Sequence, residues 1–206
     1  MQKGKLPITT VIFDLGGVYF TDGTAAFIEK MERLYGVPKA RVKEIVSGDL
    51  GTKYRTGTLT PAEFWRKAKA HWQCDIETPV LAKLWFEEYK PIRETAALIK
   101  KLKGAEYEVL FLSDNASDRI DYLESKSAFI GTFDGGIFSH IEKTRKPDKK
   151  IYEAALKIAS HPAAQCVYID DKEELLIPAN RLGMHTVRFN SSSQLEKDLR
   201  ALGLKF

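Results

Sequence analysis

Ile8-Thr9-Thr10-Val11-Ile12-Phe13-Asp14-Leu15-Gly16-Gly17-Val18 is a β-branched, almost wholly apolar run that stops at a carboxylate and two glycines. A run apolar at nearly every position, rather than at every second one, is the pattern of a strand covered on both faces. Working outward, runs of the same kind recur at residues 108–112, 166–169 and 185–189. Between them, residues 92–103 carry Ala96, Leu98, Ile99 and Leu102 on one helical face, and residues 149–159 place Ile151, Ala154, Ala155 and Ile158 likewise. Strands alternating with helices of this length predict an α/β fold, a Rossmann-like parallel sheet with helices on both sides.

Residues 20–89 interrupt that alternation with one helical signal after another. Residues 24–35 are amphipathic and stop at Gly36, and residues 38–46 follow. Thr60-Pro61-Ala62-Glu63 reads as a capping box with proline at the first helical position, and Thr78-Pro79-Val80-Leu81 opens a helix running to residue 89. The block predicts four helices forming a small domain, 20–89, inserted into a core made of 1–19 and 90–206, with hinges near 20–23 and 90–91. Trp65, Trp72, Trp85 and Phe64 sit at helical spacing and are expected to form the insert's own core. Near the C-terminus, Ser193-Gln194-Leu195-Glu196 reads as a second capping box, and Pro178 predicts a helix that begins near it.

The chain has 206 residues, 44% apolar and 29% charged, and no apolar run approaches the roughly 20 residues of a membrane-spanning helix. A formal charge of +4 does not imply nucleic acid, and it suits an anionic substrate. Cys74 and Cys166 lack the spacing for a disulfide framework or a zinc site and are expected to pack as small hydrophobes. The N-terminus has no signal-peptide pattern, so a cytoplasmic protein is expected, with no membrane or nucleic-acid partner.

In a parallel α/β sheet, ligands bind outside the carboxyl ends of the strands. Those ends deliver Asp14, Ser113-Asp114-Asn115 and Asp170-Asp171, while Lys146 lies just before the helix that precedes the last pair. Hard oxygen ligands suit Mg²⁺, and an ammonium and a hydroxyl suit phosphate oxygens. Each residue also has a plainer reading. Asp14 could end a strand, Ser113-Asp114-Asn115 could cap the next helix, and Lys146 belongs to a run of five cations in residues 143–150. The adjacent carboxylates of Asp170 and Asp171 repel one another unless a cation or donors hold them.

Taken in order, these segments resemble the haloacid dehalogenase-like hydrolases that carry a helical cap after the first strand. Asp14-Leu15-Gly16-Gly17-Val18 is similar to the family's first motif, and Leu112-Ser113-Asp114-Asn115 to its second. Arg145-Lys146-Pro147-Asp148 is similar to the third, and Tyr168-Ile169-Asp170-Asp171 with Leu182-Gly183-Met184 to the fourth. The resemblance implies a phosphatase of small phosphorylated metabolites. Asp14 would be the nucleophile and Lys146 its catalytic partner. Asp14, the Gly16 carbonyl, Asp170 and Asp171 would hold Mg²⁺, and Gly16, Gly17, Ser113, Asp114, Asn115 and Lys146 would bind the phosphate.

Two positions depart from the family pattern. Gly16 stands where family phosphatases carry a second aspartate that transfers the leaving-group proton, a contribution of about 10²–10⁴-fold. Slow turnover, a good leaving group or another proton carrier is then expected, with Asp22 one candidate. Leu175 stands where relatives have asparagine. The alternatives are a catalytically silent binder of a phosphorylated ligand or protein partner, and a metal-free 2-haloacid dehalogenase, for which Arg33, Arg41, Arg55 and Arg66 are candidate carboxylate clamps.

Overall fold

The computed structural model describes residues 6–206. The strands β1 (Thr10–Phe13), β2 (Glu108–Ser113), β3 (Gly135–Phe138), β4 (Cys166–Asp170) and β5 (His185–Arg188) form one sheet in the order β3-β2-β1-β4-β5. Every pairing is parallel. Side-chain alternation sends Val11, Phe13, Val109, Phe111, Val167 and Ile169 to one face, where α6 (Arg93–Gly104), α7 (Ser117–Ser127) and α11 (Ser192–Ala201) cover them. Ile12, Leu110, Leu112 and Tyr168 face α9 (Lys149–Ile158) and α10 (Glu173–Arg181) on the other. Burial on both faces is the reason these strands read as continuous apolar runs.

Between β1 and α6 the chain forms α1 (Gly23–Tyr35), α2 (Lys39–Ser47), α3 (Asp49–Arg55), α4 (Pro61–Trp72) and α5 (Thr78–Phe86). These helices share a hydrophobic cluster in which Phe64, Trp65, Trp72 and Trp85 are buried with Phe27, Met31 and Tyr54, apart from the clusters on the sheet. The two chain crossings lie side by side: Phe20 bridges Pro91, and the Thr21 N–H donates to the Lys90 carbonyl at 3.0 Å. No helix among the described residues is long and apolar enough to cross a membrane.

Several local expectations are corrected. The sequence pattern does not predict helix α3, so the run contains one helix more than the four expected, and α5 ends at Phe86 rather than 89. The short α8 (Ser139–Glu142) also escapes a periodicity reading, being one turn long. Strand β3 is hidden because half of it is glycine, a weak strand former; a Cβ on Gly136 would stand 2.3 Å from the Phe111 ring. Pro178 lies inside α10 rather than at its start. Leu176 and Ala179 are buried on either side of it, and Glu174, whose carbonyl Pro178 cannot reach, is exposed to water. The last helix is capped by Ser191 with Gln194, not by Ser193 with Glu196. Starting there, α11 turns Leu195 and Leu199 onto the sheet.

Candidate active site

The sheet order reverses between β1 and β4, so the crevice opens at their carboxyl ends. Phe13 pairs with Ile169, so the register sets Asp14 beside Asp170. The Asp14 N–H donates to the Ile169 carbonyl at 2.8 Å, which extends the ladder by one residue and fixes that side chain. Asp14 is 5% exposed and Asp170 fully buried.

Lys146, 3% exposed, stands between the two carboxylates. Its ammonium donates to Asp14 Oδ1 at 2.7 Å, to Asp170 Oδ2 at 2.8 Å and to the Tyr168 hydroxyl at 3.0 Å. Tyr168 in turn donates to Asp170 Oδ2, and the Lys172 N–H donates to Asp170 Oδ1 at 3.0 Å. Tyr168 is a site residue that the motif reading passed over. The strand period could have found it, because residues 168 and 170 share a face of β4.

Burial pushes the Asp14 carboxyl up to about 7, with Lys146 opposing and the charges of Asp170 and Asp171 adding to the rise. Burial also works against the Asp170 carboxylate, but Lys146, Tyr168 and the Lys172 N–H hold it below the usual value. Lys146 is likewise disfavoured by burial, and Asp14 and Asp170 hold it well above the usual lysine value. Asp171 is raised, first by its own burial, with Lys172 opposing and Asp170 adding.

Oxygens of Asp14, Asp170 and Asp171 lie within 4.8 Å of one another. Asp171 Oδ1 is buried with no hydrogen-bond partner among the described residues. An orphaned oxygen on one of three clustered carboxylates fits a hard cation. Gly17 makes that approach possible: its φ is +91°, and a Cβ there would stand 2.7 Å from Asp171 Oδ2.

The phosphate-side expectations are partly redrawn. Ser113 lines the cleft, and its hydroxyl makes no hydrogen bond among the described residues. Asp114 instead turns both oxygens to the neighbouring loop, accepting from Arg145 Nε and the Lys146 N–H, each at 3.0 Å. A carboxylate so engaged positions Lys146 and has no donor to offer a phosphate. The Asn115 N–H is taken by Ser139 Oγ at 2.9 Å and the Gly17 N–H by the Phe20 carbonyl at 2.7 Å, so neither main-chain donor is free. The N–H groups of Leu15, Gly16 and Asp114 donate to nothing among the described residues. The capping alternative for residues 113–115 is also excluded, because α7 has Ala116 at its N-cap and no side-chain cap.

The site opens into a cleft of about 820 Å³ between the sheet edge and α1–α3, lined on the far side by Arg55, Tyr89 and Arg119. A Cβ on Gly16 would meet only the Tyr89 ring, at an ordinary 3.6 Å. Asp22 caps α1, accepting from the Thr24 and Ala25 N–H groups at 3.1 Å. Leu175 lines the cleft, and its carbonyl receives the Tyr152 hydroxyl at 2.7 Å, so its polar contact is made by the main chain. Of the four arginines named from sequence, Arg55 reaches the cleft; Arg33 and Arg66 are exposed, and Arg41 is tied to the His71 carbonyl.

Residues 8–183 match the family described as haloacid dehalogenase-like hydrolase. The sesquiterpene phosphatase astK of Aspergillus oryzae is 25% identical over 194 residues, 93% of this chain and 94% of that protein. Among solved structures, a HAD-like family hydrolase from Porphyromonas gingivalis aligns with a TM-score of 0.79 at 18% identity, covering 97% of this chain and all of that one. The HAD family enzyme bt-2542 of Bacteroides thetaiotaomicron, in complex with magnesium and inorganic phosphate, aligns at 0.74 and 23% identity over 88% of this chain and 93% of that one.

Proposed function

From the premise that the chain belongs to the haloacid dehalogenase-like hydrolases, we propose that it is a Mg²⁺-dependent phosphatase of small phosphorylated metabolites, with Asp14 as nucleophile. The observation that carries the reading is the buried Asp14–Lys146–Asp170 chain of charge beside the orphaned oxygen of Asp171. The phosphatase relative and the magnesium and phosphate complex support it.

Asp14, Asp170 and Asp171, with the Gly16 carbonyl, would hold the ion. When bound, Mg²⁺ neutralises charge on the phosphoryl oxygens and keeps Asp14 ionised. Asp14 Oδ2 accepts from none of the described residues, whereas Oδ1 is held by Lys146, so Oδ2 is the oxygen available to attack phosphorus. The new O–P bond forms as the bond to the leaving oxygen breaks, and water then hydrolyses the aspartyl-phosphate. The free N–H groups of Gly16 and Asp114 and the Ser113 hydroxyl would bind the phosphoryl oxygens, while the Lys146 ammonium, whose three N–H groups go to Asp14, Asp170 and Tyr168, would offset their charge from one layer further in.

Gly16 has no proton to give, and Asp22, although it lines the cleft, has Oδ1 held as an acceptor by two N–H groups at the start of α1. The leaving group therefore departs as a stable anion or takes its proton from water, which favours acyl phosphates and sugar 1-phosphates. Residues 20–89 act as a cap domain over a core of 1–19 and 90–206, of which residues 1–5 lie outside the described residues. The paired crossings at Phe20–Pro91 are its hinge, and closure excludes water from the cleft.

The test measures phosphate release from p-nitrophenyl phosphate, acetyl phosphate and a panel of sugar phosphates, with Mg²⁺ and with EDTA. Release that needs Mg²⁺ and falls at least 10³-fold in Asp14→Asn is expected. Gly16→Asp, whose new Cβ has room beside Tyr89, is expected to raise turnover of the poorer leaving groups by tenfold or more. Absence of release across the panel overturns the phosphatase in favour of a silent binder, and turnover of a 2-haloacid in EDTA overturns it in favour of carbon–halogen chemistry.

A further inference from the structure

Two guanidinium groups in the cleft carry charge that the chemistry at Asp14 does not use. Arg55, at the end of α3, is 8% exposed and Arg119, on α7, 1%, yet both line the cleft that holds Asp14 and Ser113. Arg55 Nη1 donates to the Val46 carbonyl at 2.8 Å, and its Nε has no partner. Arg119 Nη1 donates to the Tyr89 hydroxyl at 2.6 Å, and its Nε and Nη2 have none. Neither is paired with a carboxylate among the described residues. Asp118, next to Arg119 in the chain, accepts from the Tyr54 hydroxyl at 2.6 Å and from Trp65 Nε1 at 3.3 Å. A third guanidinium, Arg145, already takes Asp114. Burial and the repulsion of Arg145 and Arg119 pull Arg55 down to about 10, so the cations crowd one another.

A purely structural role for Arg119 is docking, since its guanidinium lies 4.5 Å from the centre of the Trp85 ring and 4.9 Å from that of Tyr89. These ring contacts, however, supply no hydrogen-bond acceptor to Nε and Nη2 among the described residues. Cation–π contact offsets only part of the penalty for an ion buried without a counter-charge. Two such ions around one cavity are balanced when an anion enters it. The guanidinium fork matches the paired oxygens of carboxylate and phosphoryl groups.

We propose that Arg55 and Arg119 form an anion subsite on the leaving-group side of the cleft. The substrate is then a small phosphomonoester bearing a second anionic group, either a carboxylate or a further phosphoryl. This deepens the phosphatase reading and rests on it for the position of the reacting phosphate.

The experiment titrates Asp14→Asn protein calorimetrically, with Mg²⁺, against two matched pairs: 3-phosphoglycerate with glycerol 3-phosphate, and glucose 1,6-bisphosphate with glucose 1-phosphate. In at least one pair the doubly anionic ligand is expected to bind tenfold more tightly or better, and the pair that shows it identifies the second anion. Adding Arg119→Met or Arg55→Met is expected to cut the advantage to threefold or less. Arg119→Lys, which keeps a cation beside Trp85 but loses the fork, replaces Arg119→Met if that variant does not fold, and is expected to lose at least threefold of the advantage. No preference in either pair overturns the subsite, and so does a preference that survives the arginine substitutions. Failure of the phosphatase reading shows separately, as no phosphate release by the unsubstituted protein, because the binding comparison does not depend on turnover.

Discussion

At the scale of single residues, the site depends on a carboxylate placed where charge is costly. Asp14 has an ordinary value of 3.8 and is held at about 7 by burial and by its acidic neighbours. Between those values the folded protein keeps a proton that the unfolded chain releases, so this residue's contribution to stability falls as pH rises from about 4 to about 7. The span corresponds to at most about 4 kcal/mol. In EDTA, Asp14→Asn is therefore expected to melt above the unsubstituted protein at pH 7.5, with the difference vanishing near pH 4. A difference that grows towards pH 4, followed by circular dichroism, refutes this account. Mg²⁺ is expected to raise the Tm of the unsubstituted protein at pH 7.5, since the ion binds the ionised form. Asp14, Lys146 and the Asp170-Asp171 pair were legible from their order along the chain. Tyr168, Arg119 and the hydrogen bonds that engage the Asp114 carboxylate and the Asn115 and Gly17 N–H groups were not, because each depends on which partner reaches it across the fold.

At the scale of elements, local chemistry proposes ends and packing chooses among them. Ser191-Ser192-Ser193-Gln194 and Ser193-Gln194-Leu195-Glu196 both satisfy the capping-box pattern. The first is used: Ser191 Oγ accepts from the Gln194 N–H at 3.2 Å, while Gln194 Oε1 accepts from the Ser191 N–H at 3.3 Å. Urea unfolding should show Ser191→Ala losing about 1 kcal/mol and Ser193→Ala within about 0.5 kcal/mol of the unsubstituted protein. Equal losses would place the cap elsewhere. Thr60-Pro61-Ala62-Glu63, with no rival start nearby, forms the capping box that the sequence predicts. Strand β3 shows the opposite case, in which its two glycines carry almost no strand signal and Phe111 across the ladder leaves room for nothing larger at Gly136.

At the scale of the whole molecule, α1–α5 have an aromatic cluster of their own, distinct from the two on the sheet and joined to one of them through Tyr89 and Tyr122. Trp85 is at its centre, stacked 5.0 Å from Phe27, edge-on to Trp65 at 5.9 Å and under the Arg119 guanidinium. Trp85→Ala should cost about 3–5 kcal/mol. Hydrogen exchange should show α1–α5 losing protection while β1, β2 and β4 keep theirs, and a uniform loss would mean that the two parts open as one unit. The sequence by itself determined the parallel α/β layering, the helical insertion after the first strand and the order of the four motifs. Those features follow from apolar periodicity and strand-end chemistry, which are local. Only the tertiary structure decided that Asp14 stands level with Asp170, that Lys146 bridges them, and that Arg55 and Arg119, 64 positions apart in the chain, meet in one cleft without a carboxylate partner among the described residues. Register, burial and charge balance are properties of neighbours in space, and chain order does not encode them residue by residue.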